Sequence, residues 1–431
     1  MSAATLQPAA SPAAGTPATA AGRKAWRLPI TLGVLGLVAL VLFGVLPAGG
    51  RETTFGVSTS TDFVHLGPVT VPSKATAVVL SVLALLVAAY AGWCVARARR
   101  VGRWVTIVFA VLWVLAFLTW AVAGKTTSLV SLLAGSLFLA VPLAFGALGG
   151  LVGERAGVVN IAIEGQLLTG AFGAAVFASI VSNAYLGLVA APVAGLVIGA
   201  LLALFTVKYH VNQIIVGVVL NVFAVGLTSF LYSSVLKENA ASLNSPPRLP
   251  TIAIPVLGDI PVIGPVLFRQ TLLVYLLYIA IVVVAIALFR TRWGLRVRAV
   301  GEYPAAADTV GIDVNRIRWR NVLLGSMIAG LGGAFFTVGS VGAFSQEMTA
   351  GKGYIALAAM ILGRWSPWGA LGAALLFGFS DKVQQVLGVL GTPIPNQFML
   401  MLPYVVTIFA VAGLVGRVRA PAADGEPYVK E

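Results

Sequence analysis

Amide and carboxylate side chains stand at intervals inside otherwise apolar stretches of this sequence. Gln213 and Asn221 lie eight residues apart, as on one face of a helix, and Asn160 and Glu164 lie four apart. A charged side chain at the centre of a bilayer costs roughly 2.5–3.5 kcal/mol on insertion scales, and such residues usually mark a pathway or a paired site. These groups could therefore hydrogen-bond a polar solute, or could join one helix to another. Glu164 could instead cap a turn near the membrane surface and pair with Arg155.

A second polar interruption surrounds a short apolar run at 353–362. Gly353 and Tyr354 open this run, which at about ten residues is too short to cross a bilayer as a helix. We expect a re-entrant or broken segment, because non-helical backbone at membrane depth is tolerated only inside protein or beside a wet cavity. The following run carries Asp381 beside Lys382, and these two side chains could neutralise each other. The candidate translocation path comprises Asn160, Glu164, Gln166, Gln213, Asn221, Gly353 and Tyr354.

Residues 290–320 form a polar insert with seven arginines and three acids between long apolar segments. Their pattern predicts two short helices. Pro304 begins the second, because proline is tolerated in a helix's first turn, and Gly311 can end it in a left-handed conformation. Small side chains on this second helix would leave its backbone open to a partner's groove. The residues that we assign to such docking are Gly294, Arg296, Arg298, Gly301, Glu302, Pro304, Ala305, Ala306, Ala307 and Gly311.

Composition places the chain in a membrane. It is 59% hydrophobic and only 10% charged, with a mean hydropathy of +0.98, whereas soluble domains are about 25% charged. The net charge of +14 does not indicate nucleic acid, because the basic residues lie at the ends of apolar segments. One cysteine and two distant histidines predict no metal site and exclude a disulfide within the chain. No complete phosphate-binding loop or hydrolase motif occurs in the sequence, so we expect neither enzyme activity nor a cofactor.

Twelve apolar runs predict an all-α, polytopic membrane protein of roughly 10–12 transmembrane helices with re-entrant or broken segments. The runs are 28–46, 77–96, 104–124, 129–150, 167–182, 185–207, 214–235, 271–289, 322–342, 353–362, 368–387 and 398–415. Basic loops mark the cytoplasmic side, so both termini are expected there and the proline-rich loop 236–270 outside. The predicted regions are a disordered cytoplasmic tail 1–27, amino-terminal transmembrane helices 28–124, a core 125–416 and a cytoplasmic tail 417–431.

Three stretches together resemble the permease subunits of bacterial ABC importers of the branched-chain amino acid, simple sugar and nucleoside class. GERAGVVNIAIEGQLL at 153–168 is similar to a segment of the nucleoside and sugar permeases. TAGKGYIALAAMILGRWSPWGALGAALLFG at 349–378 is similar to a second one, and the insert at 290–320 resembles the family's cytoplasmic coupling loop. The three motifs occur in the family's order and span about residues 129–416. The chain is therefore identified as a member of this family, most like its nucleoside branch.

The resemblance implies a multi-pass permease subunit in the plasma membrane of a bacterium, surrounded by lipid. In this family the alanine-rich helix of the insert, here residues 304–309, is a coupling helix that docks on a separate cytoplasmic ATPase. The expected partners are that ATPase, a second homologous permease in a heterodimer, an extracytoplasmic substrate-binding lipoprotein and a small-molecule substrate. Nucleosides are the favoured substrate, with simple sugars or branched-chain amino acids as alternatives. An ion-coupled secondary transporter, a different class, would need intramembrane acids, for which Glu164 and Asp381 are the candidates.

Overall fold

The computed structural model describes residues 18–47, 49–59, 62–391, 397, 398, 401, 404 and 420–430. The described residues form α-helices joined by loops, with five short strands. The helices are α1 Ala18–Ala39, α2 Ser73–Ala96, α3 Arg103–Ala121, α4 Leu129–Glu154, α5 Ile163–Val181, α6 Ala184–Ala203, α7 Gln213–Leu231, α8 Ala240–Leu243, α9 Leu272–Arg290, α10 Arg292–Glu302, α11 Pro304–Thr309, α12 Val314–Gly333, α13 Lys352–Leu362 and α14 Pro367–Leu390. The strands are β1 Glu52–Gly56, β2 Val69–Pro72, β3 Thr126–Ser128, β4 Thr251–Ala253 and β5 Arg269–Thr271.

Nine helices in the described residues are long and apolar enough to cross a membrane, which confirms the predicted all-α polytopic membrane protein. They are Trp26–Val45, Ser73–Ala96, Trp104–Ala121, Leu129–Glu154, Ile163–Val181, Ala184–Lys208, Gln213–Leu236, Leu272–Arg290 and Val314–Val341. Each corresponds to one of the first nine predicted runs. The largest difference lies at the start of α12, which begins at Val314 because the Asp313 side chain caps it by accepting a hydrogen bond from the Arg316 amide at 2.9 Å.

The remaining predicted runs differ in their outcome. Run 353–362 is the 11-residue helix α13, and run 368–387 is the 24-residue helix α14. Run 398–415 lies almost entirely outside the described residues. Residues 1–17 of the predicted disordered tail also lie outside them, and residues 18–27 belong to helix α1.

One compact unit contains α1, α2 and α3 together with the hairpin of β1 and β2. Helix α2 carries a stripe of small buried side chains with spacings of three and four residues, which places them on one face. Alanines at such positions let neighbouring helices approach closely, and α1 and α3 pack on α2. The stripe comprises Ala77, Ser81, Ala84, Ala88 and Ala91.

The second compact unit contains α4 to α14, and α4, α5 and α12 form its centre. Gly149 of α4 faces Gly325 of α12 so closely that a Cβ atom on either residue would collide with the carbonyl oxygen of the other. Only glycine permits this contact between two helix backbones. Helices α6, α7 and α9 expose apolar side chains such as Val189, Val222 and Ile279, as expected of faces that meet lipid.

The polar insert folds as two helices at the end of this unit where α4 ends. Thr291 caps α10 by accepting a hydrogen bond from the Gly294 amide at 3.1 Å, and Pro304 occupies the first turn of α11. Gly311, two residues beyond α11, adopts a φ of +82°. Residues 420–430, here named the strap, return to this same end and contact α10, α11 and α12.

The loop 237–271 holds α8 and a small antiparallel sheet in which Thr251 pairs with Thr271. Asp259 accepts a hydrogen bond from the Arg269 guanidinium, and the two side chains form an ion pair. This proline-rich loop therefore contains ordered secondary structure.

Candidate functional site

Glu164 lies in the first turn of α5 and is buried, with 6% of its surface exposed. Its Oε1 atom accepts hydrogen bonds from the Thr349 hydroxyl at 2.6 Å and the Gly351 amide at 2.8 Å. Its Oε2 atom accepts one from the Gly353 amide at 2.5 Å. Three donors and the partial positive charge of the helix N-terminus together stabilise a carboxylate here. Glu164 therefore holds the segment that leads into α13.

The backbone of that segment is strained. Glu347 and Ala350 have φ values of +52° and +46°, in the left-handed region that side chains other than glycine rarely adopt. Such conformations cost on the order of 1–3 kcal/mol each and persist only where surrounding contacts enforce them. Gly353 packs directly on α5, since a Cβ there would lie 2.5 Å from the Cα of Glu164. The bonds to Glu164 supply the contacts that keep the strained segment in place.

A second carboxylate also holds the start of α13. The Lys352 ammonium donates a hydrogen bond to Asp381 on α14, and the two form an ion pair whose side chains are 25% and 10% exposed. The suggested neutral pair between Asp381 and its neighbour Lys382 is therefore wrong. Consecutive residues on a helix point in different directions, and Lys382 instead lies along Gly135 of α4.

The predicted polar stripe on α7 faces the non-helical linker between α4 and α5, residues 155–162. Asn221 accepts a hydrogen bond from the Gly165 amide at 2.8 Å and donates to the Ile161 carbonyl at 2.9 Å. Gln213, two turns away, accepts one from the Val159 amide at 2.6 Å. These side chains form hydrogen bonds with backbone groups that have no helical partner in or beside this linker. The stripe thus fixes the non-helical backbone at residues 155–162.

Asn160 and Gln166 form a reciprocal amide pair inside the same region. Each side-chain nitrogen donates to the other's oxygen at 3.1 Å, and Gln166 also donates to the Ser326 hydroxyl on α12 at 2.9 Å. All three side chains are at most 1% exposed. The pair therefore connects the linker 155–162 to both α5 and α12.

The seven predicted path residues come together around the linker 155–162 and the segment 347–353. Six of them are buried and carry hydrogen bonds or close backbone contacts, whereas Tyr354 is 49% exposed. Its hydroxyl accepts a hydrogen bond from the Asn221 amide at 3.2 Å. Sequence reasoning missed Thr349, Lys352 and Ser326 as members of this network. Lys352 carried the clearest signal, since it is a cation flanked by glycines at the start of a short apolar helix.

The alternative pairing of Glu164 with Arg155 does not occur. The Arg155 guanidinium donates to the Trp365 carbonyl at 2.7 and 3.0 Å, and it lies over the ring of Phe289. Burial lowers the pKa of Arg155, while the charge of Glu302 opposes that change. Arg155 therefore joins the end of α4 to the turn that follows α13.

The residues assigned to docking divide into a buried side and an exposed side. Gly294 and Gly301 are buried, because Gly294 packs on the end of α9 and Gly301 on the backbone of Arg155. Ala307 is also buried, and Arg298 lies over the ring of Phe289. The exposed side comprises Arg296, Glu302, Ala305, Ala306 and Gly311, and Pro304 is half-buried.

The exposed side of α11 continues into two large apolar side chains. Tyr303 immediately before the helix is 66% exposed, and Val310 immediately after it is 74% exposed. Ala305 and Ala306 lie between them and leave the backbone accessible. A small apolar surface rimmed by charged residues is typical of a site that contacts another protein.

Comparison with known proteins adds a family to this geometry. Residues 132–411 match the family described as branched-chain amino acid transport system, permease component. The chain belongs to this permease family. The permease is 39% identical over 304 residues to the guanosine ABC transporter permease protein NupQ of Bacillus subtilis (strain 168), with 68% of this chain and 95% of the relative covered.

Two further relatives extend the comparison. The nucleoside ABC transporter permease protein NupC of Lactococcus lactis subsp. cremoris is 38% identical over 308 residues, covering 69% of this permease and 96% of the relative. The putative glucose ABC transporter permease protein TsgC13 of Haloferax volcanii is 33% identical over 332 residues, covering 70% and 98%. No solved structure matches the permease. The matched region contains both the polar network and the insert.

Proposed function

We propose that this permease forms the membrane path of an ATP-driven importer of nucleosides. The observation that carries the proposal is the 39% identity over 304 residues to a guanosine permease, which covers 95% of that relative. The apolar surface formed by Tyr303, Ala305, Ala306 and Val310 supports a docking role for α11. The ATP would be hydrolysed by a separate cytoplasmic subunit that contacts this surface.

Motion of α11 has a direct mechanical route to the membrane helices. Four residues separate α11 from α12, and α12 meets α4 at the backbone contact of Gly149 with Gly325. Closure of the ATPase would displace α11, and α12 would pass the displacement to α4 and α5. Such a transition requires contacts that differ between the inward-open and outward-open states. The strained segment 347–353, which contacts α5 and leads to the ion pair with α14, is the element best suited to change conformation.

Membership of the family supports the remaining parts of the proposed importer. A second, different permease would complete the path, and an extracytoplasmic lipoprotein would deliver the substrate. The basic residues in the loops support a cytoplasmic position for the insert and both termini, and an external position for loop 236–270, where the lipoprotein would bind. In this arrangement Tyr354 is the candidate side chain to stack on a nucleobase in the path.

The two acids considered for an ion-coupled transporter are already bonded. Glu164 accepts three hydrogen bonds and Asp381 pairs with Lys352, so each has a structural partner for its negative charge. This favours the ATP-driven mechanism. A sugar substrate remains the second candidate because the permease is 33% identical to a putative glucose permease.

Uptake by cells with and without the permease tests the proposal. Labelled guanosine should accumulate only in cells that contain the permease, and unlabelled nucleosides should compete more strongly than glucose or leucine. Depletion of ATP should stop uptake, whereas a protonophore at constant ATP should leave its initial rate within about twofold, since the proton gradient is not the energy source. Uptake that follows the proton gradient, or competition by glucose alone, would contradict the proposed energy source or substrate respectively.

A further inference from the structure

The strap forms hydrogen bonds with a buried arginine of α12. Arg318 is 2% exposed, and its guanidinium donates to the Glu426 carbonyl at 2.6 Å and to the Ala423 carbonyl at 3.5 Å. Ala423 itself is 4% exposed, and its amide donates to the Gly301 carbonyl of α10 at 2.9 Å. A buried guanidinium needs acceptors to offset its lost hydration. The strap carbonyls supply these acceptors, so the buried arginine fixes where the strap lies.

The far end of the strap is bonded to α11. The Tyr428 hydroxyl donates to Asp308 Oδ2 at 2.9 Å, and the Lys430 ammonium lies 3.3 Å from Asp308 Oδ1. Tyr428 packs against a buried cluster of Val300, Ala307 and Val314, to which α10, α11 and α12 contribute one residue each. The exposed ammonium of Lys430 is screened by water, so the tyrosine is the principal anchor.

The strap also contacts the ends of two membrane helices. The Asp424 carboxyl lies within hydrogen-bonding reach of Glu154, the last residue of α4. The Tyr428 carbonyl lies 3.0 Å from His210 Nε2, in the turn between α6 and α7. The eleven residues of the strap therefore contact α4, the α6–α7 turn, α10, α11 and α12.

Helix α11 needs such external support. It has six residues, and a helix of that length is unstable by itself in water. Ala307 is its one fully buried residue, and the other five are partly or fully exposed. Without the strap, α11 would be held only through its connections to α10 and α12 and the small packing of Ala307. If α11 were held loosely, a displacement by the ATPase would move α11 alone and would not be transmitted to the membrane helices.

We propose that residues 420–430 fix α11 to the membrane helices, so that a displacement of α11 moves α4 and α12 with it. This inference rests on the proposed function, in which α11 receives the ATPase. The strap positions the docking helix, and the transported solute does not touch it. Loss of the strap should uncouple ATP hydrolysis from transport without preventing assembly.

The test replaces Ala423 with arginine, which cannot fit in the buried position and should expel the strap while leaving its receiving surface unchanged. Amide hydrogen exchange of residues 304–312 should accelerate at least about tenfold, because the opening of α11 no longer requires breaking the strap contacts. Nucleoside uptake should fall at least about fivefold, while the amount of ATPase that co-purifies stays within about twofold. Val429→Ala, at a 67% exposed position of the strap, is the matched control and should match the wild type in all three measurements.

Two further samples guard against a simple folding defect. Tyr428→Phe removes one hydroxyl and should accelerate exchange in α11 by about threefold or more. A chain that ends at Arg419 should behave as Ala423→Arg does, and a synthetic peptide of residues 420–430 should slow its α11 exchange again. Unchanged exchange in α11 in the truncated chain, or unchanged uptake with faster exchange, would overturn the proposal. Absence of uptake by the wild type would refute the proposed function, whereas the exchange and peptide measurements would still decide whether the strap holds α11.

Discussion

Individual polar residues in this permease hold irregular backbone in place. Glu164, Asn221 and Gln213 all bond to main-chain amides of residues that are not part of a regular helix or that begin one. An unsatisfied amide in a dry interior costs more than a side-chain hydrogen bond normally contributes, so these positions are energetically important whether or not a solute contacts them. In the proposed path, the buried members of the network would act through the backbone that they position.

Glu164→Gln should loosen the segment that leads into α13. The new amide group can still accept at one oxygen, but it places a donor against the Gly353 amide, which loses its acceptor. A buried donor without a partner costs about 1–3 kcal/mol, so the Gly351 and Gly353 amides should exchange at least about fivefold faster. Hydrogen exchange measured by mass spectrometry checks this. Glu347→Gln makes the same change at an exposed residue of the same segment and should have no effect; equal exchange in both variants would contradict the role of Glu164.

The sequence identified the candidate path residues but not their partners. Spacing on a helix predicted that Gln213 and Asn221 share a face, and they do face one region. The bond between Thr349 and Glu164 spans 185 residues, and periodicity within a helix carries no information about such a contact. Asp381 shows the same limit, because its charge partner Lys352 is 29 residues away and its sequence neighbour Lys382 points elsewhere.

Among the elements, α11 is the one whose sequence and structure agree in detail. Pro304 begins it as predicted, and Gly311 follows it in the left-handed conformation. The sequence also predicted small side chains on an accessible helix, and Ala305 and Ala306 are exposed. The flanking residues Tyr303 and Val310 were not assigned to the surface, because nothing in their spacing shows that they project outward. They add the larger apolar area that a docking partner would bury.

Ala306→Glu should prevent docking of the ATPase and leave membrane insertion intact. The carboxylate would place a charge in the centre of the exposed α11 surface, where a partner would have to desolvate it. We expect at least a tenfold loss of co-purified ATPase, equivalent to about 1.4 kcal/mol. Ala241→Glu, the same change at an exposed residue of α8, is the control and should retain the ATPase. Full recovery of the ATPase with Ala306→Glu would rule out this surface as the docking site.

At the scale of the whole molecule, hydropathy predicted most of the membrane helices. The nine helices of the described residues that are long and apolar enough to cross a membrane coincide with predicted runs, because a stretch of about 20 apolar residues has few alternatives to spanning lipid. The strap could not be predicted in this way. Residues 420–430 contain no long apolar run and no helical periodicity, so the sequence predicts only a tail. Their order comes from buried partners such as Arg318, which lies more than a hundred residues earlier in the chain.

The strap should also respond to pH through Asp424. Burial raises the pKa of Asp424 from 3.8 to about 7, and the Arg318 guanidinium and the hydrogen bond with Glu154 partly oppose that change. Between pH 3.8 and about pH 7, Asp424 therefore holds a proton when the strap is bound and releases it when the strap is free. Its attachment should be strongest below the ordinary pKa of 3.8, weaken as the pH rises towards 7 and stay constant above that.

Limited proteolysis of residues 420–430 measures this dependence. Cleavage should be at least about fivefold faster at about pH 8 than at about pH 5, after correction for protease activity on an unfolded substrate at each pH. Asp424→Asn keeps the size of the side chain and removes its titration, so its cleavage should depend much less on pH. An equally steep dependence in this variant would show that another group controls the attachment.

The position of the strap has a consequence for biosynthesis. Arg318 leaves the ribosome about a hundred residues before its carbonyl acceptors at Ala423 and Glu426, an interval on the order of ten seconds at roughly 5–20 residues per second. During that interval the nascent permease carries an arginine whose final site is incomplete. A translation product released before residue 420 would keep this defect permanently, which gives cellular quality control a chemical difference by which to recognise unfinished copies.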